Sequence, residues 1–79
     1  MKMFKKLSEI KSGSGGTIRS FDNNELSVKL MEMGCLPGEI IMVEQVAPFK
    51  DPISVSVAGY RLSLRIEEAE AIIVEEFLQ

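Results

Sequence analysis

With 79 residues the chain has material for one hydrophobic core and none for a second, so a single domain over residues 1–79 is expected. Hydrophobic residues make up 46% and charged residues 27%, which excludes a disordered composition, and apolar runs such as Ile40 to Val43 are far too short to span a bilayer. Twelve acidic residues against nine basic ones leave a net charge of −3 and argue against a nucleic-acid partner, whose phosphates demand clustered Lys and Arg.

In chain order, Lys2, Lys5 and Lys6 stand in a polar lead-in, Met1 to Lys11, with no apolar segment or small-residue cleavage site behind them. The pattern is not a secretory signal, and a cytoplasmic location without membrane insertion is expected. Leu7 and Ile10 share the face of one helical turn and would pin the segment to the core. Ser12 to Gly16 reads as turn material that opens a first strand, Thr17 to Phe21. Asp22, Asn23 and Asn24 supply helix N-cap candidates, and Leu26, Leu30 and Met33 follow as the apolar stripe of an amphipathic helix that Gly34 ends at C′.

Leu36-Pro37-Gly38 makes a turn, after which Glu39 to Ala47 reads as a strand. Ile40, Met42 and Val46 lie on one face of it, Ile41 and Val43 on the other, so cover on both faces is expected for part of its length. Pro48 and Pro52 bracket the loop Phe49-Lys50-Asp51. Ile53, Val55 and Val57 then alternate with Ser54, Ser56 and Ala58, and beyond Gly59 the residues Leu62, Leu64 and Ile66 alternate with Arg61, Ser63 and Arg65. The period of two about a short connection predicts an antiparallel hairpin with one buried face. Glu67 to Ala71 suits one helical turn, and Ile72 to Val74 forms a last strand. Five short strands with one or two short helices predict a mainly β fold, a small SH3-like barrel with an OB-type barrel as the structural alternative.

The catalytic inventory is thin. Histidine is absent and Cys35 is the lone thiol, so neither a Ser-His-Asp nor a Cys-His arrangement can be assembled within one chain, and no enzyme activity is expected. The glycines at 13, 15 and 16 lack the Lys-Ser or Lys-Thr that a phosphate-binding loop places after its last glycine. The lone cysteine cannot form an internal disulfide, in keeping with a reducing compartment. For a metal ion the candidate ligands are Glu32 and Cys35, three residues apart, with Asp51 from the loop, a donor set suited only to weak binding of ferrous iron or another divalent transition ion. What remains is surface: Phe49, with Lys50, either stands out as a partner anchor or folds back to cap the barrel, and Lys29 and Glu32 lie on the polar face of the helix.

Three stretches carry a family resemblance: Leu30-Met31-Glu32-Met33-Gly34-Cys35-Leu36-Pro37-Gly38; Val46-Ala47-Pro48-Phe49-Lys50-Asp51-Pro52-Ile53; and Gly59 to Ala69 followed by Ile72-Ile73-Val74. In order and spacing the chain resembles the ferrous iron transport protein A (FeoA) family of small SH3-like barrels, from about Leu7 to Val74. The resemblance implies an accessory role beside FeoB, a membrane protein with a cytoplasmic GTP-binding domain that moves ferrous iron inward. That family has no agreed catalytic residues; Gly34, Pro37, Gly38, Pro52, Gly59 and Ala69 match its motifs and have backbone or packing roles. The leading expectation is therefore a protein-interaction module that binds and modulates a FeoB-like transporter, with a possible peripheral position at the membrane's inner face and possible self-association. The alternative is a metal-responsive sensor akin to the C-terminal domain of diphtheria toxin repressor type regulators.

Overall fold

The computed structural model describes residues 3–77. These run as β1 (Phe4–Lys6), a 3-10 turn (Leu7–Glu9), β2 (Gly15–Phe21), α1 (Asn24–Glu32), β3 (Ile40–Val46), a tight turn (Pro48–Lys50), β4 (Ile53–Val57), β5 (Tyr60–Leu64), α2 (Ile66–Glu70) and β6 (Ile72–Glu76). All six strands belong to one antiparallel sheet in the order β1-β6-β2-β3-β4-β5. The mainly β fold is the one expected, with one strand more: the lead-in contributes β1, whose Phe4, Lys5 and Lys6 pair with Glu75, Val74 and Ile73.

Helix α1 forms where the cap and the stripe place it. The Asn23 side-chain oxygen accepts the Leu26 N–H at 3.0 Å, satisfying one of the donors that the first turn leaves orphaned. At the other end Gly34 adopts φ +104°, and the Gly34 N–H donates to the Met31 carbonyl and the Cys35 N–H to the Leu30 carbonyl. This pair of bonds is a Schellman motif, so the glycine stops the helix and turns Cys35 back beneath it. Leu30 is buried, and Leu26 and Met33 pack against the core from its margin.

In β4 the alternation is followed closely: Ile53, Val55 and Val57 are buried while Ser54 and Ser56 are half-exposed. Ala58 and Gly59 both take left-handed backbone, φ +52° and +83°, which is the two-residue turn whose twist matches the strands it joins. The partner strand ends at Leu64, earlier than its alternation predicted, because Ile66 begins α2 instead of continuing β5. On β3, Ile41 and Val43 face the core, while on the other face Ile40 remains 54% exposed and Val46 is exposed, so that face is covered only in part, at half-buried Met42.

The glycines at 15 and 16 prove to be strand residues and not turn. They begin β2 where it lies between β3 and β6, pairing Gly15 with Met42 and Gly16 with both Ile41 and Glu76. A Cβ on Gly15 would collide with the Ile41 carbonyl oxygen, and one on Gly16 with that of Glu75. Absence of a side chain is what lets the neighbouring backbones approach this closely.

Two irregularities re-aim charged side chains outward. The register shifts between Ile18 and Ser20, leaving Arg19 to pair with Glu75 at 2.9 Å, and between Val43 and Gln45, leaving Glu44 to accept the Ser56 hydroxyl at 2.7 Å. Inside, Ile18, Ile41, Val43, Val55, Leu64, Ile72 and Val74 of the sheet meet Leu30 and Cys35 from α1 and its cap, and Ala69 from α2. Leu7 and Ile10 join them from the first turn, as their spacing predicted. Each large aliphatic side chain so buried contributes about 1.5 to 3 kcal/mol.

Candidate protein-docking surface

The six candidate residues fall in three environments. Lys29 and Glu32 sit on α1, Cys35 follows its cap, and Phe49, Lys50 and Asp51 occupy the connection between β3 and β4.

Glu32 is exposed at the end of α1, whereas the Cys35 thiol is buried and its pKa is pushed up to about 11, first by burial and then by the negative charge of Glu68. The exposed Glu32 carboxylate and the buried Cys35 thiol therefore lie in different environments. Asp51 is otherwise engaged, its Oδ1 accepting the Ile66 N–H at 3.2 Å at the start of α2. Among the described residues no group of three or more His, Cys, Asp or Glu side chains is disposed to hold a metal ion.

Lys29 reaches across to α2, where its Nζ lies 2.8 Å from Oε2 of Glu68. The other carboxylate oxygen of Glu68 accepts the Arg65 N–H at 2.8 Å, closing the first turn of α2. Burial alone would raise the pKa of Glu68, but the Lys29 hydrogen bond, the Arg65 N–H and the charges of both residues outweigh it and hold the carboxyl below its ordinary value. The sequence reading missed this buried carboxylate. The signal available to it was the position of Glu68 three residues after the strand's last residue plus one, the N3 place where an acidic side chain caps the helix start.

The loop between β3 and β4 is the most protruding aromatic feature. Pro48 fixes its first φ, the Lys50 N–H donates to the Ala47 carbonyl at 2.8 Å, and the Ala47 N–H donates to the Pro52 carbonyl at 3.2 Å. Within this frame Phe49 and Lys50 both take left-handed backbone, φ +68° and +62°. Phe49 is 100% exposed, so it does not fold back over the barrel. Asp51 and Pro52 line a shallow depression with Ser63, Leu64 and Arg65, which brings the exposed Arg65 to the same end of the molecule. Ile40, half-buried Met42 and Tyr60 form a separate groove with Arg61 on the outer face of β3, β4 and β5.

The FeoA domain model matches residues 5–76, from β1 through β6. The chain belongs to the FeoA family. It is 37% identical over 71 residues to the Fe(2+) transport protein A/Fe(2+) transporter FeoB fusion protein of Porphyromonas gingivalis, an alignment that takes in 89% of this chain and spans 8% of that much longer protein. Among solved structures, the FeoA-like protein from Clostridium acetobutylicum superposes with a TM-score of 0.88 at 36% identity, over 100% of this chain and 93% of that one. The zinc complex of Stenotrophomonas maltophilia FeoA, described as a procaryotic SH3 domain protein, superposes with a TM-score of 0.74 at 28% identity, over 95% of this chain and 89% of that one. The fold is thus the SH3-like one expected. A manganese-dependent transcriptional repressor reaches a TM-score of 0.85 at 19% identity over 98% of this chain and 44% of that one, a likeness of fold alone. As a FeoA-family member the chain is a ferrous iron transport associated protein, and no helix among the described residues is long and apolar enough to cross a membrane.

Proposed function

We propose that this chain, acting as one folded domain in the cytoplasm, is an accessory subunit of a FeoB-type ferrous iron transporter. It binds the transporter's cytoplasmic GTP-binding part through protein contacts and modulates uptake without performing chemistry of its own. The observation that carries this reading is the fusion relative, in which a protein A portion and the transporter share one polypeptide. Joining two parts in one chain makes their encounter intramolecular, an arrangement that favours modules which act on each other. The residues agree with such a division of labour. There is no histidine, the one thiol is buried and protonated, and the surface instead offers an aromatic on a preorganised turn.

The test is direct binding between the purified chain and the GTP-binding region of the transporter, followed by calorimetry or biolayer interferometry. Saturable one-to-one association at tens of micromolar or tighter is expected, and absence of binding in that range, with or without guanine nucleotide, overturns the reading.

A further inference from the structure

We propose that Phe49 is the anchor of this docking: its ring enters an apolar pocket on the transporter's GTP-binding part, and acidic side chains around that pocket receive Lys50 and Arg65. The inference rests on the docking reading above and names the contact within it. Phe49 is 100% exposed, and among the described residues no other large apolar side chain is so fully in water. Its backbone is left-handed at φ +68°, a conformation that costs any residue with a Cβ, and Lys50 beside it repeats the cost at φ +62°. Neither the exposure nor the strain stabilises this fold. Glycine would relieve the strain at either position, and a small polar residue would remove the exposure.

The turn also delivers the ring already ordered. Pro48, the Lys50 N–H to Ala47 bond and the Ala47 N–H to Pro52 bond fix the backbone, while the Asp51 carboxylate ties the far side of the loop to the first N–H of α2. A partner therefore gains the burial of a full aromatic side chain without bearing the entropy of ordering a loop, which is the condition for a hot spot. The charge around the ring selects the partner's chemistry. The molecule carries a net −3, yet Lys50 and Arg65 are both exposed at this end, and the one carboxylate between them in the loop, Asp51, is engaged by the Ile66 N–H although it too is exposed. A pocket rimmed by Asp or Glu complements that arrangement. A bilayer is the poorer match, since one ring and two cations on an acidic chain fall short of the apolar area and basic cluster that hold a protein at a membrane surface.

Affinity for the purified GTP-binding region is to be compared among the natural chain, Phe49→Ala, Phe49→Gly and Lys50→Glu, with thermal melts run on each. The expected result is a loss of affinity of about thirtyfold for both Phe49 variants, the size of a hot-spot truncation, with Phe49→Gly melting no lower than the natural chain. Lys50→Glu is expected to slow association severalfold at low salt, with the difference shrinking as salt is added. Natural-like affinity in the Phe49 variants overturns the anchor while the docking reading stands. No binding by the natural chain overturns the docking reading and the anchor with it. Phe49-dependent retention on vesicles containing anionic lipid, with protein affinity unchanged by the substitution, overturns the anchor in favour of a membrane contact.

Discussion

The ammonium of Lys29 on α1 lies 2.8 Å from Oε2 of Glu68 on α2, joining the two helices of the fold by one ion pair that is 59% exposed at the lysine side chain and 6% exposed at the carboxylate. That asymmetry decides its worth. The lysine end is screened by water, as in any surface pair, but the carboxylate end would be left desolvated and partly unpaired without it. Lys29→Ala is therefore expected to destabilise the protein by about 1 to 2 kcal/mol, between the cost of an exposed pair and that of a buried one. Urea denaturation checks it, and Lys29→Ala combined with Glu68→Gln should be less destabilised than the sum of the two changes, since the neutral amide needs no counter-charge.

Glu68 also gives the fold an acid-sensitive edge. Its folded-state pKa lies below the ordinary 4.5, so the unfolded chain binds the proton more readily. The stability it contributes is fully present above pH 4.5 and is lost as the pH falls through the lower folded-state value. The urea midpoint of the natural protein should fall as the pH is taken from 6 to 3, and Glu68→Gln should flatten part of that decline. An unchanged slope in the variant would show that other carboxylates set the acid limit.

Cys35 acts in the opposite direction. Burial and the neighbouring Glu68 carboxylate raise its pKa from 9.0 to about 11, which keeps the thiolate, the reactive form, scarce at neutral pH. A disulfide reagent at pH 8 should label Cys35 at least about a hundredfold more slowly than a free thiol of pKa 9.0, with full labelling released by urea. The stability due to the protonated thiol is fully present below pH 9.0 and is lost as the pH rises to about 11, and Cys35→Ala removes that alkaline component.

These three groups also show what a sequence discloses and what it withholds. Helix α1 was legible because its determinants are local: Asn23 caps three residues ahead, Leu26 and Leu30 repeat at the helical period, and Gly34 supplies the left-handed exit. The hairpin of β4 and β5 was legible for the same reason, its period of two and its two-residue turn being written within a dozen residues. Strand β1 was not, because three residues carry no period, and Phe4 to Lys6 become a strand only when β6 arrives from the far end of the chain. The partnership of Lys29 and Glu68 spans two helices and leaves no mark in either segment. Of the candidate surface, the prolines bracketing Phe49 marked the loop, but whether the ring lay in or out depended on backbone torsions that the residue types do not encode: left-handed φ at Phe49 and Lys50, where neither residue favours it.

The two glycines that open β2 yield the last expectation. Gly16 pairs with Ile41 on β3 and with Glu76 on β6, so β2 is gripped from both edges at this residue. A methyl at Gly16 would run into the Glu75 carbonyl oxygen, and at Gly15 into that of Ile41 and the Met42 sulfur. The obstacles differ in kind. At Gly16 the atoms in the way are all backbone of the paired strand, which yields only by lengthening ladder hydrogen bonds, whereas at Gly15 one of them is a flexible thioether. Gly16→Ala is accordingly expected to cost about 3 kcal/mol, at the upper end of overpacking penalties, while Gly34, which has open space around its α-carbon, is penalised in an alanine variant only through its positive φ. Chemical denaturation of Gly16→Ala and Gly34→Ala side by side measures the difference, and amide exchange should report weakened protection in β2 and β6 for the first variant alone. Equal destabilisation of the two would mean that the strands separate at Gly16 with little resistance.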